Sequence, residues 1–388
     1  MSDAAWQFHT PTKLRVGLGI SAELADELTL LGARRPLLVT DRGIIAAGIA
    51  DDIIAALGPG GTPPSIYDAV RSDPDAATVA EGSQRLRTWR ADAVVAVGGG
   101  SVVDAAKAMA IMARHDGDIL DYEHGQQRRR FDRPGLPLIT IPTTAGTGSE
   151  VTWWSVITDP QRRRKCDIGS PLMAARVALV DPALSRGLPP QATAATGFDA
   201  LSHALEALVT RHHHPATDAL CRQAIEMIMA HLPTAVANGH DLEARMAMAS
   251  AASIAGLAFP NAGLGAVHGL TAPLGARLGI AHGQACAALL PAVMRCNSTV
   301  VADRYAAVAS WWGWQGIDPA AGAAVAVDRV LTLRRQLGLP SLRELGCTAA
   351  DVPVIAADAI GPCSNCVNNP RPLTVADLDR LLHDALDE

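Results

Sequence analysis

The chain has 388 residues, of which 49% are hydrophobic and 19% are charged, and its formal net charge is −6. Because this length is long for one hydrophobic core, we expect a globular protein of two domains. The acidic balance excludes the sustained basic face of a nucleic-acid-binding protein, and two short basic runs at 128–130 and 162–165 are expected to be exposed loops.

The chain begins Met-Ser-Asp-Ala-Ala-Trp, which lacks the basic and then apolar order of a signal peptide. Its seven cysteines have no regular framework spacing and suit a reducing compartment. We therefore expect a cytoplasmic protein.

Between residues 35 and 142, short apolar runs alternate with helical patterns. This alternation is typical of βαβ units on a parallel sheet. Strands are predicted at 36–41, 65–70, 93–97 and 136–142, with helices to about residue 57, through Arg90 and from Ser101.

Two glycine-bearing loops follow neighbouring predicted strands. Gly98-Gly99-Gly100-Ser101 opens a helix, whose free N–H groups favour a phosphate, although a tight turn alone also explains these glycines. The loop at 142–150 reaches the same carboxyl edge of the sheet, so the two loops together predict a dinucleotide site. Asp41, at the end of the first clear strand, is placed to accept hydrogen bonds from an adenosine ribose.

From about residue 187 the apolar period becomes 3.6 residues and strand signals vanish, so the second half is predicted to be all helix. The boundary is placed at Leu188-Pro189-Pro190, between an α/β domain over residues 1–187 and a helical domain over residues 188–388. The helices are expected to be broken at Pro233, Pro260, Pro291 and Pro340.

An uncharged stretch from Met246 to Val267 is long enough for a membrane span. It is rich in Ala, Ser and Gly and is interrupted by Phe-Pro-Asn-Ala-Gly at 259–263. We therefore predict a buried helix that ends at this break, and no membrane partner.

One helical stretch, 197–209, is opened by Gly197 and carries Asp199 and His203 four residues apart on one face. Such a pair is also typical of a surface or capping contact. His268 and His282 follow in glycine-rich segments and complete a set of one Asp and three His that suits Zn(II) or Fe(II). His268 ends the uncharged stretch and is expected deep in the fold, as a ligand or as a satisfied core histidine.

Several motifs in order along almost the whole chain resemble those of the iron-containing (group III) alcohol dehydrogenases. They are residues 10–13, 98–107, 142–152, 170–182, 197–207, 259–275, 282–291 and 369–371. The resemblance implies a Rossmann-like parallel-sheet domain followed by an all-α domain, as in dehydroquinate synthase, with the active site in the cleft between them. It also implies a metal-dependent NAD(H) oxidoreductase that interconverts an alcohol and its aldehyde or ketone by hydride transfer.

The same resemblance implies roles for individual residues. Asp199, His203, His268 and His282 would bind the metal, with Fe(2+) expected before Zn(2+). Cofactor contacts would come from Asp41, Gly98, Gly99, Gly100, Ser101, Asp104, Thr143, Thr144, Thr147 and Lys165, although Lys165 equally fits one more charge in a basic loop. The substrate pocket would be apolar and aromatic, lined by Trp154, Phe259, Cys363 and Cys366.

One position departs from the family pattern, because Ala272 stands where many members have a further histidine four residues after the third ligand. No general acid or base is therefore assigned, and proton transfer is expected through water or the cofactor ribose. The Cys363-Ser-Asn-Cys366 pair is a weak zinc or redox motif without a partner pair. His212-His213-His214 is expected to be a solvated loop at a helix end.

We expect a homodimer or higher homo-oligomer acting on a small-molecule alcohol or aldehyde. Two other classes of function stay open. A lyase resembling dehydroquinate synthase would need several basic groups for a phosphate- and carboxylate-bearing substrate, and the apolar pocket supplies few. A non-catalytic nucleotide- or metal-binding protein would bind both ligands without turnover.

Overall fold

The computed structural model describes residues 5–57, 64–126, 128–361 and 363–388. The first six residues, from which we expect no signal peptide, lie partly outside the described ranges. The chain forms two compact units. The α/β unit comprises residues 10–188 and 239–256, and the helical unit comprises residues up to His9, 189–238 and 257–388. A single domain boundary at residue 188 therefore misplaces two segments: residues 5–9 belong to the helical unit, and residues 239–256 belong to the α/β unit.

A six-stranded parallel sheet forms the centre of the α/β unit, in the order β1-β8-β5-β4-β2-β3, and a separate antiparallel pair joins β6 to β7. The strands are β1 (Lys13–Val16), β2 (Pro36–Val39), β3 (Ser65–Tyr67), β4 (Ala93–Gly98), β5 (Leu138–Pro142), β6 (Trp154–Asp159), β7 (Arg164–Gly169) and β8 (Val177–Val180). The four predicted strands correspond to β2, β3, β4 and β5. The predicted parallel α/β class is confirmed.

The sheet is covered on both faces, as the continuous apolar sequence of β4 requires. Alternate residues of this strand enter two separate cores. Val94 packs with Met109 on one face, and Val95 packs with Ile53 on the other. The helices are α1 (Leu24–Leu30), α2 (Arg42–Ala46), α3 (Ile49–Ala55), α4 (Ala76–Trp89) and α5 (Gly100–Met112).

Two expectations for the α/β unit are wrong. The single helix predicted up to residue 57 is interrupted at Gly48, which adopts a φ of 74° that glycine tolerates best. The basic run at 162–165 is only partly a loop, because Arg164 and Lys165 begin β7. Charged residues on this hairpin hide the strand pattern in the sequence.

A segment from later in the chain, residues 239–256, completes the α/β unit. The hydroxyl of Ser253 donates to the buried Glu150 carboxylate at 2.7 Å, and Gly256 packs directly on Gly148. A Cβ atom on Gly148 would lie 2.6 Å from the Cα of Gly256, so this close backbone approach requires glycine. Burial raises the pKa of Glu150.

From residue 189 onward the described residues contain no strand, as predicted. The helices are α6 (Pro190–Val209), α7 (Pro215–Ala237), α8 (Leu242–Ala262), α9 (Ala266–Leu278), α10 (His282–Trp311), α11 (Pro319–Gln336), α12 (Val352–Asp358) and α13 (Val375–Asp387). The helix α8 begins in the α/β unit and ends in the helical unit. It ends at Ala262, within the break predicted at 259–263.

The proline prediction is largely wrong, because Pro233, Pro260 and Pro291 lie inside α7, α8 and α10. Their neighbours Leu232 and Leu290 are fully buried, and such packing outweighs the loss of one helical hydrogen bond. Pro340 alone of the four lies outside a helix.

The helix α6 opens at Pro190 rather than at Gly197. Gly197 has a packing role instead, since a Cβ atom there would lie 2.3 Å from Cδ1 of Leu232 on α7. The absence of a side chain therefore lets α6 and α7 approach closely.

By length and apolar composition α10 could cross a membrane, and α8 with α9 would count as a second span if this bent pair were continuous. In the fold, 61% of the apolar window of α10 is buried inside the protein. Core helices have the same composition.

Candidate metal centre and nucleotide loops

Four side chains converge in the helical unit. Asp199 and His203 project from α6, His268 from the first turn of α9 and His282 from the first residue of α10. The Nε2 atoms of His203, His268 and His282 lie 3.8, 3.6 and 3.3 Å from Oδ1 of Asp199. Bonds of about 2.0–2.2 Å to one ion place its donors roughly 3–4 Å apart. The three distances to Asp199 are therefore compatible with a single divalent metal ion, and the donors of Asp199, His268 and His282 also lie within 4.8 Å of one another.

The pKa values of these side chains favour an ionised Asp199 with positive charge around it. Burial opposes ionisation of Asp199, but the surrounding imidazoles, chiefly those of His203 and His282, outweigh it and hold the pKa of this carboxyl well below its ordinary value. Burial lowers the pKa of His282, whereas the Cys286 sulfur and the Asp199 carboxylate raise it to about 10. Binding of a metal ion would release imidazole protons, because ligation requires the neutral ring.

Glu206 contacts the candidate metal centre and was missed by the sequence interpretation. Its carboxylate accepts a hydrogen bond from Nδ1 of His268 at 2.6 Å and another from the backbone N–H of Val267 at 2.7 Å. A proton held on Nδ1 leaves Nε2 of His268 free to bind a metal. The available signal was a buried charge on α6 seven residues after Asp199, on the same helix face.

Cys286 was missed as well. Its Sγ lies 3.5 Å from Oδ1 of Asp199, 3.7 Å from Nε2 of His282 and 4.0 Å from Nε2 of His268. One group of potential ligands has donor atoms that all lie within 4.8 Å of one another, and it consists of Asp199, His268, His282 and Cys286. The available signal was the position of Cys286 one turn after His282 on α10.

The expected pocket residues fall in different units. In the helical unit, the ring of Phe259 stacks on His203 with centroids 4.5 Å apart, and Cys366 is buried against Gly269. Cys363 is half-buried. In the α/β unit, the Trp154 ring packs over Gly169 and makes an edge contact with His124 at 5.0 Å.

The Cys363–Cys366 pair and the histidines at 212–214 also lie in the helical unit. All seven cysteines are free, so Cys363 and Cys366 form no disulfide. The expectation of a solvated loop at 212–214 is wrong for His214, which is buried, accepts a hydrogen bond from the backbone N–H of Thr217 as the N-cap of α7, and stacks on Trp6 with centroids 4.5 Å apart.

The two loops predicted to bind a dinucleotide are packed side by side at the carboxyl edge of the sheet. The backbone N–H of Thr143 donates to the carbonyl of Gly98 at 3.1 Å. A Cβ atom on Gly100 would lie 2.6 Å from Cγ2 of Thr147, and one on Gly99 would lie 3.4 Å from Cγ2 of Thr144. The glycines thus admit the threonine loop beside the first turn of α5, where free N–H groups favour an anion.

Three further predicted cofactor residues surround this edge. Asp41 caps α2 by accepting a hydrogen bond from the N–H of Ile44 at 2.9 Å. The Nζ of Lys165 lies 2.6 Å from the carboxylate of Asp73, whose backbone N–H donates to the Ser101 hydroxyl at 3.3 Å.

Asp104 also contacts protein groups. Its carboxylate accepts hydrogen bonds from the Ser149 hydroxyl and, at 3.0 Å, from the backbone N–H of Val156. The Nζ of the buried Lys107 lies 3.4 Å away. Burial lowers the pKa of Lys107.

Comparison with known proteins adds to this geometry. The family described as "Iron-containing alcohol dehydrogenase" matches residues 11–182, and "Fe-containing alcohol dehydrogenase family, C-terminal" matches residues 193–386. The chain is 38% identical to the choline dehydrogenase of Bacillus subtilis, with 95% of this chain and 92% of the relative covered. It is 36% identical to the NAD-dependent methanol dehydrogenase of Bacillus methanolicus, with 98% and 99% covered. A crystal structure of a 1,3-propanediol oxidoreductase superposes with a TM-score of 0.94 at 34% identity, with 98% of this chain and 100% of that chain covered.

Proposed function

This chain belongs to the iron-containing alcohol dehydrogenase family, and on that premise we propose that it uses NAD(H) to interconvert a small alcohol and its aldehyde. The protein is an alcohol/aldehyde oxidoreductase. The observation that carries the proposal is the approach of three imidazoles to within 3.8 Å of one carboxylate oxygen of Asp199 in the helical unit. The choice of NAD(H) is supported by a relative named as NAD-dependent and by the carboxylate of Asp41 at the sheet edge.

When bound, a divalent metal supplies Lewis-acid stabilisation of the charge on the substrate oxygen, and NAD(H) accepts or supplies the hydride. We assign Asp199, His203, His268 and His282 to hold the metal. Glu206 fixes the tautomer and orientation of His268, and Phe259 supports the ring of His203. The role of these side chains is to hold the reacting groups in a fixed geometry, which lowers the entropic part of the barrier.

On the nucleotide side, we assign the start of α5 and the threonine loop to the pyrophosphate. No side chain caps α5 at Gly99, and the positive end of this helix stabilises negative charge there. Ala272 carries no proton-transferring group. We therefore propose that the alcohol proton travels through water or the cofactor ribose.

The decisive experiment is a screen of NADH oxidation with short, branched, aromatic and acidic aldehydes. The protein is stripped with a chelator and reconstituted separately with Fe(II) and Zn(II), and we expect Fe(II) to give the higher turnover. Consumption of NADH matched by formation of the alcohol supports the proposal. Binding of metal and NADH without turnover of any aldehyde, or NADH consumption only in the presence of oxygen, contradicts it.

We also propose that the protein is a cytoplasmic homodimer. Seven free cysteines suit a reducing compartment. Among the described residues, β1 pairs only with β8 and leaves one side of its backbone available for another strand. Sedimentation velocity tests the dimer, and a single species with the mass of one chain would contradict it.

A further inference from the structure

The side chain of Cys286 is fully buried and faces the same point as the metal-binding residues. It lies on α10 one turn after His282, and their side-chain ends are 3.7 Å apart. The sulfur also lies 3.5 Å from Oδ1 of Asp199, the atom that the three histidines approach. The sulfur is therefore part of the donor cluster.

These spacings are those of ligands that share an ion. Bonds of about 2.3 Å to sulfur and about 2.1 Å to nitrogen or oxygen place such donors roughly 3–4 Å apart. The three distances from Sγ, between 3.5 and 4.0 Å, all satisfy this condition. No rearrangement of α10 is needed for the sulfur to join the coordination sphere.

We propose that Cys286 is a fifth protein ligand, which binds the resident divalent metal as a thiolate. This inference rests on the proposed metal-dependent function. On ligation the S–H bond breaks, a metal–sulfur bond forms and the proton passes to solvent, with no change of oxidation state. Five protein donors leave one position of a six-coordinate site open to a further ligand.

A thiolate makes the site softer than one of imidazole and carboxylate alone. Soft sulfur donors favour Zn(II), whereas hard oxygen donors do not discriminate in this way. We therefore expect Cys286 to strengthen the binding of Zn(II) more than that of Fe(II). In the competing interpretation, Cys286 only donates a weak S–H hydrogen bond to Asp199 and contributes nothing to metal choice.

The test uses the full-length protein loaded with Co(II), which reports sulfur ligation by a near-ultraviolet charge-transfer band. Three proteins are compared: wild type, Cys286→Ser and Cys221→Ser. Cys221 is the matched control, because it is also fully buried in the helical unit but belongs to α7 and lies outside the donor group. We expect the band in wild type and Cys221→Ser and its absence in Cys286→Ser.

Chelator competition gives a second readout. We expect Cys286→Ser to weaken Zn(II) binding at least about tenfold, with a smaller loss for Fe(II). Visible cobalt bands in wild type without the sulfur band would overturn the inference, as would equal Zn(II) affinity in wild type and Cys286→Ser. If Cys286→Ser does not fold, the wild-type spectrum alone decides.

The outcomes separate this inference from the proposed function. Aldehyde turnover by a metal-loaded enzyme that lacks the sulfur band refutes only the role of Cys286. A sulfur band without turnover refutes only the proposed activity. Failure of the wild-type protein to bind Co(II), Zn(II) or Fe(II) refutes both.

Discussion

His268 is oriented from one side by Glu206 and faces the other donors with its second nitrogen. The two buried groups form a short carboxylate–imidazole contact that fixes the ring before any metal arrives. Preorganisation of this kind keeps the donor atoms in place. Replacement of an individual residue of the candidate centre is therefore expected to have a large effect.

Replacement of His268 or His282 with alanine should remove metal binding and turnover together. Loss of the metal removes several kcal/mol of transition-state stabilisation, so we expect kcat/KM to fall at least about a thousandfold. NADH binding should persist, because the loops proposed to bind the nucleotide belong to the α/β unit. Metal analysis, steady-state kinetics and NADH fluorescence titration measure the three effects. Full activity of metal-depleted His282→Ala protein would refute the metal assignment.

Asp41 is predicted to select NADH over NADPH. Its carboxylate accepts hydrogen bonds from a ribose hydroxyl but repels a 2′-phosphate, which the neighbouring Arg42 would accept. In Asp41→Gly we expect kcat/KM for NADPH to rise at least about tenfold, or about 1.4 kcal/mol.

The matched control is Asp41→Asn, which removes the charge but retains a good N-cap for α2. A similar rise of kcat/KM for NADPH in both variants would show that the rise comes from loss of the carboxylate charge and not from loss of the N-cap of α2. A wild-type preference for NADPH, or an unchanged cofactor ratio in both variants, would place the adenosine elsewhere.

Trp154 is predicted to influence which aldehydes are preferred. Trp154→Ala should alter the order of kcat/KM across the aldehyde panel more than it alters the KM for NADH. The ring also packs over Gly169, so some loss of stability is expected. Trp89→Ala on α4, whose ring packs under Arg35, is the control for loss of a tryptophan in the same unit. An unchanged substrate order in Trp154→Ala would remove this residue from the pocket.

Among the helices, α13 is stabilised at its first turn by the carboxylate of Asp377. The Asp377 carboxylate accepts hydrogen bonds from the hydroxyl and the backbone N–H of Thr374, and it pairs with Arg371 at 2.6 Å. The Thr374 hydroxyl in turn accepts from the N–H of Asp377, which completes a capping box. The hydrogen bonds from Thr374, followed by the nearby arginines, lower the pKa of Asp377 to about 2.

Asp377→Ala should therefore lower the free energy of unfolding by about 1 kcal/mol at neutral pH. Because the folded-state pKa lies below the ordinary 3.8, this contribution is complete above pH 3.8 and is lost as the pH falls toward about 2. Denaturant unfolding of both proteins between pH 7 and pH 3 measures the difference. The exposed Asp384 on the same helix supplies a control in Asp384→Ala. A difference that stays constant or grows as the pH falls would contradict the assignment.

Elements with one dominant pattern were predictable from the sequence, and elements determined by tertiary context were not. The strands β2 and β4 are continuous apolar runs, and β5 is apolar except for Thr140, because both faces of the sheet are buried. The hairpin of β6 and β7 was missed because charged residues interrupt its alternation. Helices continue through Pro233 and Pro291 because of packing that sequence propensity does not contain. Glu206 and Cys286 come close to the proposed metal ligands only because α6, α9 and α10 converge.

At the scale of the whole molecule, the proposed metal ligands lie entirely in the helical unit, and the two loops proposed to bind the nucleotide lie entirely in the α/β unit. A metal at about 1,000 times its dissociation constant should stabilise the folded state by about 4 kcal/mol. We expect metal binding to slow amide exchange chiefly in α6, α9 and α10, and NADH to slow it chiefly at 98–101 and 143–147. Hydrogen-exchange mass spectrometry with each ligand alone measures this. Equal protection of both regions by metal alone would contradict the separation.

The returning segment 239–256 has a consequence for how such a protein can be recombined. A single genetic crossover near residue 188 would exchange most of one unit but would also replace Ser253 and Gly256, which belong to the other. Glu150 would then depend on a foreign partner for its buried hydrogen bond, and any larger residue at position 256 would collide with Gly148. We therefore expect functional chimaeras of this chain to need paired exchanges that carry residues 239–256 with the α/β unit. Each unit contains residues from both sides of position 188, so neither half of the chain can be exchanged as an independent module.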